Sequence, residues 1–305
     1  MEKNTMDVPA TLVKKLRDMT GAGMGLCKEA LTATGKTGQS EADWLKFAQE
    51  WLRAKGVKAD TLARATAEGA LMVRISDDHK DAAIVELKCE TDFAAKNDRF
   101  RKLAHEIAGH VLRSKTKDAP AALKIETGNG TVDQLIKAEI ASVIKENIKF
   151  EYAEHRSLGG TGQIGSYVHS NGKLAVLVGV KADDAAAHKP EFDVLIKDVA
   201  MHIAGSAPFP VAVDRKSVPQ DLVEAEKRVI LKQLDEDPKE SKKPANIKEK
   251  IAEGKLGRFY KERVLLEQPF VKDDSKTVQQ VLDEASKSLG GKVEVAWFVR
   301  RALGA

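Results

Sequence analysis

Two regions of this sequence share one construction, in which two short apolar runs joined by a polar turn are followed by an amphipathic helix. In the first region, the runs at residues 71–75 and 82–87 flank the polar segment SDDHKD, a pattern typical of a β-hairpin. In the second region, GQIGSYVHS and KLAVLVGV flank Asn171 and Gly172, which predict a two-residue turn with positive φ at both positions. Because a lone hairpin needs a covering element, the pattern predicts two related halves of antiparallel sheet plus helices.

The helices that follow the two hairpins resemble each other as well. Phe100, Leu103, Ile107 and Val111 recur at spacings of three and four, so they lie on one face of a helix. The heptapeptide AHEIAGH, which starts at position 104, matches AMHIAGS, which starts at position 200, at Ala, Ile, Ala and Gly. We interpret the match as a structural duplication, although four small and apolar matches also arise by chance between packed helices.

The first 56 residues predict three short helices. Apolar residues recur at helical spacing over 12–19, a second helix fits 26–34, and a third begins at Ser40, where Asp43 completes a capping box. Such a unit is small, and we expect its two tryptophans to contribute much of its core.

The C-terminal third predicts a charged helical pair and a closing strand. Residues 219–266 contain two helical patterns separated by DPKESKKP, and VEVAWFVRRAL can add an edge strand to the second sheet. The sequence therefore predicts an α+β protein with three domains. These are a three-helix module at 1–57, a first core half at 58–160, and a second core half at 161–305 that includes a projecting helical hairpin at 219–266.

Composition excludes several classes of protein. The 50 basic and 46 acidic residues are interspersed and only 5% of residues are aromatic, which argues against direct nucleic-acid binding. No apolar window is long enough for a membrane span, and the N-terminal segment resembles neither a secretory signal nor an organellar presequence, so we expect a cytoplasmic protein. Cys27 and Cys89 lie in no CxxC pair, which predicts two buried free thiols.

The motifs that suggest catalysis lack the context that catalysis needs. The glycine cluster TGAGMG joins two helices instead of following a strand, and the tripeptide at 35–37 lacks a Walker glycine because position 30 is Ala30. His105 and His110 lie five residues apart, about 140° around a helix, so they cannot share a metal ion. We predict no cofactor and no metal site, and an enzyme that uses His105, His110 or His202 stays an alternative.

The segment KCETDFAAKN places a charge and an aromatic ring where a strand gives way to a helix. Thr91 is a good N-cap, and Asp92 in the first turn complements the helix dipole. Phe93 lies seven residues before Phe100, so the residues alone favour a ring that extends the apolar stripe into the core. The alternative is a wedge that the corner presents to another protein.

Five segments form an ordered set that spans nearly the whole chain: KKLRDMTGAGMGLCKEAL, VELKCETDFAAKNDRF, SYVHSNGKLAVLV, DVAMHIAGSAPFPV and KPANIKEKIAEGKLGRFYKERVLLEQPFVKDDSKTV. Together they resemble the translation elongation factor Ts family. The resemblance implies a guanine-nucleotide exchange factor that binds elongation factor Tu carrying GDP and speeds GDP release, without catalytic chemistry or a cofactor of its own. It also implies that the three-helix module is similar to a ubiquitin-associated domain.

The resemblance implies a set of contacts with elongation factor Tu. The corner at 91–94 is expected to enter the magnesium and phosphate region of the GTPase domain and to displace the ion; its residues are Thr91, Asp92, Phe93 and Ala94. Further expected contacts are Met24, Lys28, Leu174, Ala175, His202 and Val271. Without the resemblance, His202 is better interpreted as a hydrogen-bonded histidine on a packed helix, and Met24, Leu174 and Val271 as core residues.

The sequence departs from the family pattern in several places. Gly25 stands where a second Met is common, which removes about 1–3 kcal/mol of apolar contact if that side chain is buried in the interface. Ala175 replaces a frequent Gly, the segment 35–52 is longer than usual, and the sequence ends with FVRRALGA. Two interpretations stay open: a homodimer through the helical hairpin, and a binding module that uses the three-helix domain without exchange activity.

Overall fold

The computed structural model describes residues 8–20, 24–35, 38–54, 66–140, 144 and 146–304. The N-terminal module contains the three predicted helices: α1 (Ala10–Thr20), α2 (Met24–Thr34) and α3 (Glu41–Ala54). Leu16, Leu31 and Leu52 are fully buried between them, and Trp44 Nε1 donates a hydrogen bond to the carbonyl of Leu31 at 2.8 Å. The predicted cap is confirmed, because the Asp43 N–H donates to Ser40 Oγ at 3.1 Å. The predicted domain boundary at 57 and residues 21–23 of the TGAGMG segment lie outside the described residues.

The first core half contains a three-stranded antiparallel sheet in the order β1-β2-β5. Its elements in chain order are β1 (Glu68–Ile75), β2 (Asp81–Cys89), α4 (Asp92–Lys96), α5 (Asp98–Ser114), α6 (Ala119–Ala122), β3 (Glu126–Thr127), β4 (Gly130–Thr131), α7 (Val132–Glu139) and β5 (Lys149–Ser157). The predicted hairpin and the predicted helix face are both confirmed, since Phe100, Leu103, Ile107 and Val111 are buried against the sheet.

Strand β5 is not predicted from the sequence. A β-bulge interrupts its pairing with β2 between Glu86 and Leu87, so its buried residues Phe150, Ala153 and His155 do not alternate regularly. A pattern search that requires a period of two therefore overlooks this strand.

The second core half contains the sheet β10-β7-β6 and the predicted helical pair. Its elements are β6 (Gly162–Val168), β7 (Leu174–Ala182), α8 (Asp184–Ala187), α9 (Pro190–Gly205), α10 (Gln220–Glu236), α11 (Ala245–Arg263), β8 (Pro269–Phe270), β9 (Asp273–Thr277), α12 (Val278–Leu289) and β10 (Val293–Ala302). Among the described strands, β10 pairs only with β7, which confirms the predicted edge strand. The arrangement of helices and antiparallel sheets confirms an α+β fold.

The two sheets pack face to face, with helices on both outer surfaces. On β2, Ala83, Val85 and Leu87 face α5, whereas the alternate residues face the second sheet. Leu71, Ile84 and Leu158 of the first half meet a buried set from the second half: Ile164, Ala175, Leu177 and Val299. The ion pair between Arg301 Nε and Glu86 Oε2, at 2.7 Å, also crosses between the sheets. The two halves therefore share one interior layer.

The two hairpin turns have the same geometry, which supports the predicted duplication. In each turn the fourth residue has positive φ, 57° at His79 and 72° at Gly172, and its N–H donates to the carbonyl of the first residue. A carboxylate or amide at the third position accepts the next backbone N–H, from Lys80 in one turn and Lys173 in the other. The prediction of positive φ at both Asn171 and Gly172 is wrong, because the loop is longer and only the glycine needs the left-handed region.

The starts of the helices align the two halves in a different register from the match between AHEIAGH and AMHIAGS. Helices α4 and α5 begin at residues 92 and 98, and α8 and α9 begin at residues 184 and 190. In this register Phe100 corresponds to Phe192, and both rings are fully buried. The register predicted from AHEIAGH and AMHIAGS is therefore wrong by about one helical turn, because small residues recur every turn along both packed faces.

The helical pair buries one narrow apolar stripe. Ile230 and Leu234 of α10 pack against Ala252 and Leu256 of α11. Leu222, Val229 and Ile247 belong to the helical patterns of this pair but are exposed. Two crossing helices cover only the residues nearest their contact line, and the flanks stay open to solvent. Within the described part of the chain, no helix is both long enough and apolar enough to cross a bilayer.

Candidate functional site

The corner between β2 and α4 is held by a cap and by a carboxylate from a distant segment. Thr91 has extended backbone geometry, and its Oγ1 accepts the Ala94 N–H at 3.1 Å, which confirms the predicted N-cap. Glu146 accepts two hydrogen bonds from Thr91, one from the backbone N–H at 3.1 Å and one from the hydroxyl at 2.7 Å. The strand-to-helix turn is therefore held by two interactions, the local cap and the bonds to Glu146.

The ring of Phe93 points into solvent, with 82% of the residue exposed. The interpretation that it extends the core stripe of α5 is wrong. The short helix α4 ends at Lys96, and Asn97 is extended (φ −65°, ψ 132°), with its Oδ1 accepting the Arg99 N–H to begin α5. Because the helix is broken at Asn97, the spacing of seven to Phe100 no longer places the two rings on one face.

The second half of the molecule contains the equivalent corner without the aromatic ring. Ala94 and Ala95 are buried under α4, and Ala186 and Ala187 are buried at the same positions of α8. In this register Phe93 corresponds to Ala185, and both are exposed. The corner therefore forms without an aromatic side chain, so packing within the chain does not explain Phe93.

Asp92 adds a charge beside the exposed ring. Its carboxylate accepts a hydrogen bond from Lys96 Nζ at 2.8 Å, and that interaction holds the pKa of Asp92 below its usual range. The side chain is about half exposed, so the ion pair is open to water and to competition by another charged group. The corner thus presents a carboxylate and a benzyl group together.

Three residues support this corner in a way that the sequence does not predict. Glu146 anchors Thr91, while Glu139 accepts a bidentate pair from Arg99 at 2.8 and 2.9 Å at the start of α5. Cys89 Sγ donates to the Thr91 carbonyl at 3.3 Å, and burial raises the pKa of this thiol to about 12. Both cysteines are free and buried, as predicted. No local signal marks Glu146 or Glu139, because their partners lie 55 and 40 residues away.

The other predicted contact residues are spread over both core halves and the N-terminal module. Met24 and Lys28 are exposed on α2, and a Cβ built on Gly25 would meet no atom within 4 Å, so this helix face is open. Leu174 is half-buried at the start of β7. Ala175 is fully buried between the two sheets, and its side chain offers no surface to a partner in this conformation.

His202 is buried and fully hydrogen-bonded, with only 1% of the residue exposed. The Val271 N–H donates to its Nδ1 at 3.1 Å, so Nε2 carries the proton and donates to Gln268 Oε1 at 3.0 Å. Burial lowers the pKa of His202, and the hydrogen bond with Gln268 opposes that shift only in part. Val271 itself is 54% exposed. His202 therefore has no exposed surface of its own, and it affects the surface by holding the loop at Val271.

The histidines considered for catalysis have separate partners. His105 Nε2 lies 2.8 Å from an Arg74 nitrogen, and His110 Nδ1 lies 3.2 Å from an Arg113 nitrogen. Among the described residues, no group of three His, Cys, Asp or Glu side chains is arranged to hold a metal ion.

Comparison with known proteins gives consistent matches. The family described as elongation factor TS matches residues 90–305. Elongation factor Ts of a Nitratiruptor species is 40% identical over 306 residues, which covers 98% of this chain and 94% of the relative. Elongation factor Ts of Aquifex aeolicus is 41% identical over 304 residues, covering 96% of each, and that of Desulfovibrio desulfuricans is 40% identical over 302 residues, covering 98% and 99%.

Proposed function

This chain belongs to the elongation factor Ts family, and we propose that it is a guanine-nucleotide exchange factor for elongation factor Tu. Its role in translation elongation follows from the family, and the corner at residues 91–94 is proposed as the part that acts on the nucleotide site. One observation carries this assignment: Phe93 is 82% exposed at a position where the second half has an alanine. An exposed aromatic ring on a rigid corner is typical of an interface anchor.

The proposed mechanism is differential binding. Phe93 buries its ring in a crevice of elongation factor Tu, and Asp92 brings a negative charge towards the site that holds Mg²⁺ and the GDP phosphates. Mg²⁺ requires a nearly ideal octahedral shell, so displacing one ligand weakens the hold on the diphosphate. The factor binds the nucleotide-free GTPase more tightly than the GDP complex, and by linkage it lowers the affinity for GDP by the same ratio.

The rigidity of the corner contributes to this function. Glu146, the Thr91 cap and the Arg99–Glu139 pair fix the corner before binding, so little conformational entropy is lost when Phe93 enters its crevice. No covalent step occurs on this protein, and the function requires no cofactor of its own.

The remaining contacts are proposed in two groups. Met24, Lys28, Leu174 and Val271 carry exposed surface and contact elongation factor Tu directly. Ala175 and His202 are buried, and they contribute indirectly by supporting Leu174 and Val271 respectively.

We place this activity in the cytoplasm, without a membrane or nucleic-acid partner. A homodimer through α10 and α11 would use the exposed Leu222, Val229 and Ile247, and light scattering at increasing concentration tests it.

The test is the rate of GDP release from elongation factor Tu, measured by stopped flow with a fluorescent GDP analogue. Phe93→Ala and Asp92→Ala should each slow release, by about tenfold or more for Phe93 because burying a Phe side chain contributes about 1.5–3 kcal/mol. Val194→Ala is the matched control, since it removes an exposed apolar side chain from α9 in the other half.

Two results would contradict the proposal. Release rates unchanged in both corner variants would remove the corner from the mechanism. A wild-type protein that binds elongation factor Tu without accelerating GDP release would favour the non-exchanging binding module instead.

A further inference from the structure

Two arginines from different elements lie over one partly exposed aromatic ring in the second half. The guanidinium carbon of Arg263, at the end of α11, is 4.8 Å from the ring centroid of Phe209, and that of Arg300, on β10, is 4.4 Å from it. Phe209 is 42% exposed, so the edge of this cluster faces solvent. We call these three residues the Arg-Phe cluster.

Neither guanidinium group has an acceptor in the described structure. No carboxylate lies within 4.0 Å of either side chain, and the Nε atom of each is buried without a hydrogen-bond partner. By contrast, Arg99, Arg215 and Arg258 each bind a carboxylate, which raises the pKa of all three. Burial alone acts on Arg300 and lowers its pKa. Half-buried cations without a counter-ion are costly, and ring stacking offsets only part of that cost.

The cluster is held in place by the hydrogen-bond network of His202. Gln268, which accepts from His202, donates from Nε2 to the carbonyls of Pro208 at 2.9 Å and Glu262 at 2.7 Å. These two residues directly precede Phe209 and Arg263 in the chain. The backbone next to Phe209 and Arg263 is therefore held by the same network that holds Val271, which positions these two residues of the cluster before any ligand arrives.

The surroundings select the kind of anion. Paired or stacked guanidinium groups recognise planar oxyanions through two parallel N–H donors. The groove that Arg263 borders is also lined by Glu226, Lys255, Arg258 and Glu262, and Arg258 is paired with Glu262 at 2.7 Å. These neighbouring charges balance, so the only excess positive charge among these described side chains is that of the two arginines without an acceptor. It matches a single carboxylate on a protein surface better than the several charges of a chain of phosphates.

We propose that Phe209, Arg263 and Arg300 form a receptor for a carboxylate side chain of the GTPase partner, next to the contact made by Val271. The guanidinium N–H groups donate to the carboxylate oxygens, and the ring of Phe209 packs against the adjoining methylene groups. This inference rests on the proposed function for the identity of the partner, but not for the chemistry of the receptor.

The chemistry is tested on the full chain without a partner. The midpoint of thermal unfolding is measured in sodium glutarate, in sodium phosphate and in sodium chloride at equal ionic strength. Glutarate should raise the midpoint of the wild type by about 2–4 °C relative to chloride. Arg263→Gln and Arg300→Gln should lose this shift. Arg258→Gln should keep it, because Arg258 lies in the same groove but is already paired with Glu262 at 2.7 Å.

The partner is tested by the affinity for nucleotide-free elongation factor Tu at several salt concentrations. Arg263→Gln and Arg300→Gln should weaken binding about tenfold and make it less sensitive to salt, with Arg258→Gln within about twofold of the wild type. Arg300→Lys should fall between, because a lysine keeps the charge but lacks the two parallel donors. Circular dichroism establishes that each variant is folded.

The unfolding measurement and the affinity measurement can each contradict the inference independently. A glutarate shift that survives both Gln variants, or a larger shift in phosphate than in glutarate, would refute a carboxylate receptor. Unchanged affinity of both variants for elongation factor Tu would refute the assignment of the carboxylate to that partner. If the wild type does not bind elongation factor Tu, the proposed function fails, and the glutarate measurement still decides the receptor.

Discussion

Thr91 and Glu146 are joined by two hydrogen bonds although 55 residues separate them in the chain. Through this pair, the segment before β5 holds the turn that presents Asp92 and Phe93. The side chain that does the anchoring therefore belongs to a different part of the sequence from the side chains that are presented.

Replacing Glu146 by alanine should loosen the corner. The Thr91 N–H and hydroxyl would each lose their acceptor, which costs about 1–3 kcal/mol in the free energy of unfolding. We expect slower GDP release from elongation factor Tu as well, because Phe93 would no longer be pre-positioned. Urea unfolding and stopped-flow release measure the two effects. Thr91→Ser is the control, since a serine hydroxyl keeps both the cap and the bond to Glu146. A loss of stability with an unchanged release rate would contradict the positioning role.

Truncating the two phenylalanines near the corner should change the free energy of unfolding by very different amounts. Phe100→Ala removes a fully buried ring and should lower the free energy of unfolding by about 3–5 kcal/mol. Phe93→Ala removes an exposed ring and should change it by less than about 0.5 kcal/mol. Urea unfolding of the two variants checks the contrast. Comparable losses in both would mean that Phe93 packs against the chain in solution.

Glycine substitutions should separate packed from open positions. A Cβ at Gly179 in β7 would lie 2.5 Å from the indole of Trp297, so Gly179→Ala should destabilise the fold by about 1–3 kcal/mol through overpacking. Gly254 in α11 has no neighbour within 4 Å of such a Cβ, so Gly254→Ala should stabilise the protein by about 0.5–1 kcal/mol. The midpoint of thermal unfolding should move down for the first variant and up for the second, and shifts of the same sign would contradict this difference in packing.

His202 should make stability depend on pH. Burial lowers its pKa in the folded state, whereas the unfolded value is about 6.5. As the pH falls through about 6.5, the unfolded chain takes up a proton that the folded chain resists, so stability is present at neutral pH and is lost on acidification. The protonated ring also cannot accept the Val271 N–H.

The comparison is between the wild type and His202→Asn, with thermal unfolding measured at about pH 7.5 and about pH 5.5, on either side of the unfolded pKa. The variant should lose less stability over this interval, because all other titrating groups are common to both proteins. Equal losses would show that His202 does not contribute to the pH dependence.

The elements that depend on neighbouring residues were predicted well. The hairpin at 71–87, the helix face from Phe100 to Val111 and the caps at Ser40 and Thr91 all follow from contacts between residues a few positions apart. Strand β5 was missed because a bulge removes its alternation, and the repeat register was misjudged because small residues recur every turn on both helices.

The amino-acid sequence by itself determined the α+β class, the hairpins, the helical pair and the family, since periodicity, capping and motif order are properties of the linear chain. Only the tertiary structure decided that Phe93 faces solvent, that His202 is sealed behind Val271 and that Arg263 and Arg300 meet at Phe209. The physical reason is that exposure and hydrogen bonding depend on which distant segments meet. The break at Asn97 turns Phe93 away from the core, and Glu146 and Gln268 reach their partners only after the chain has folded.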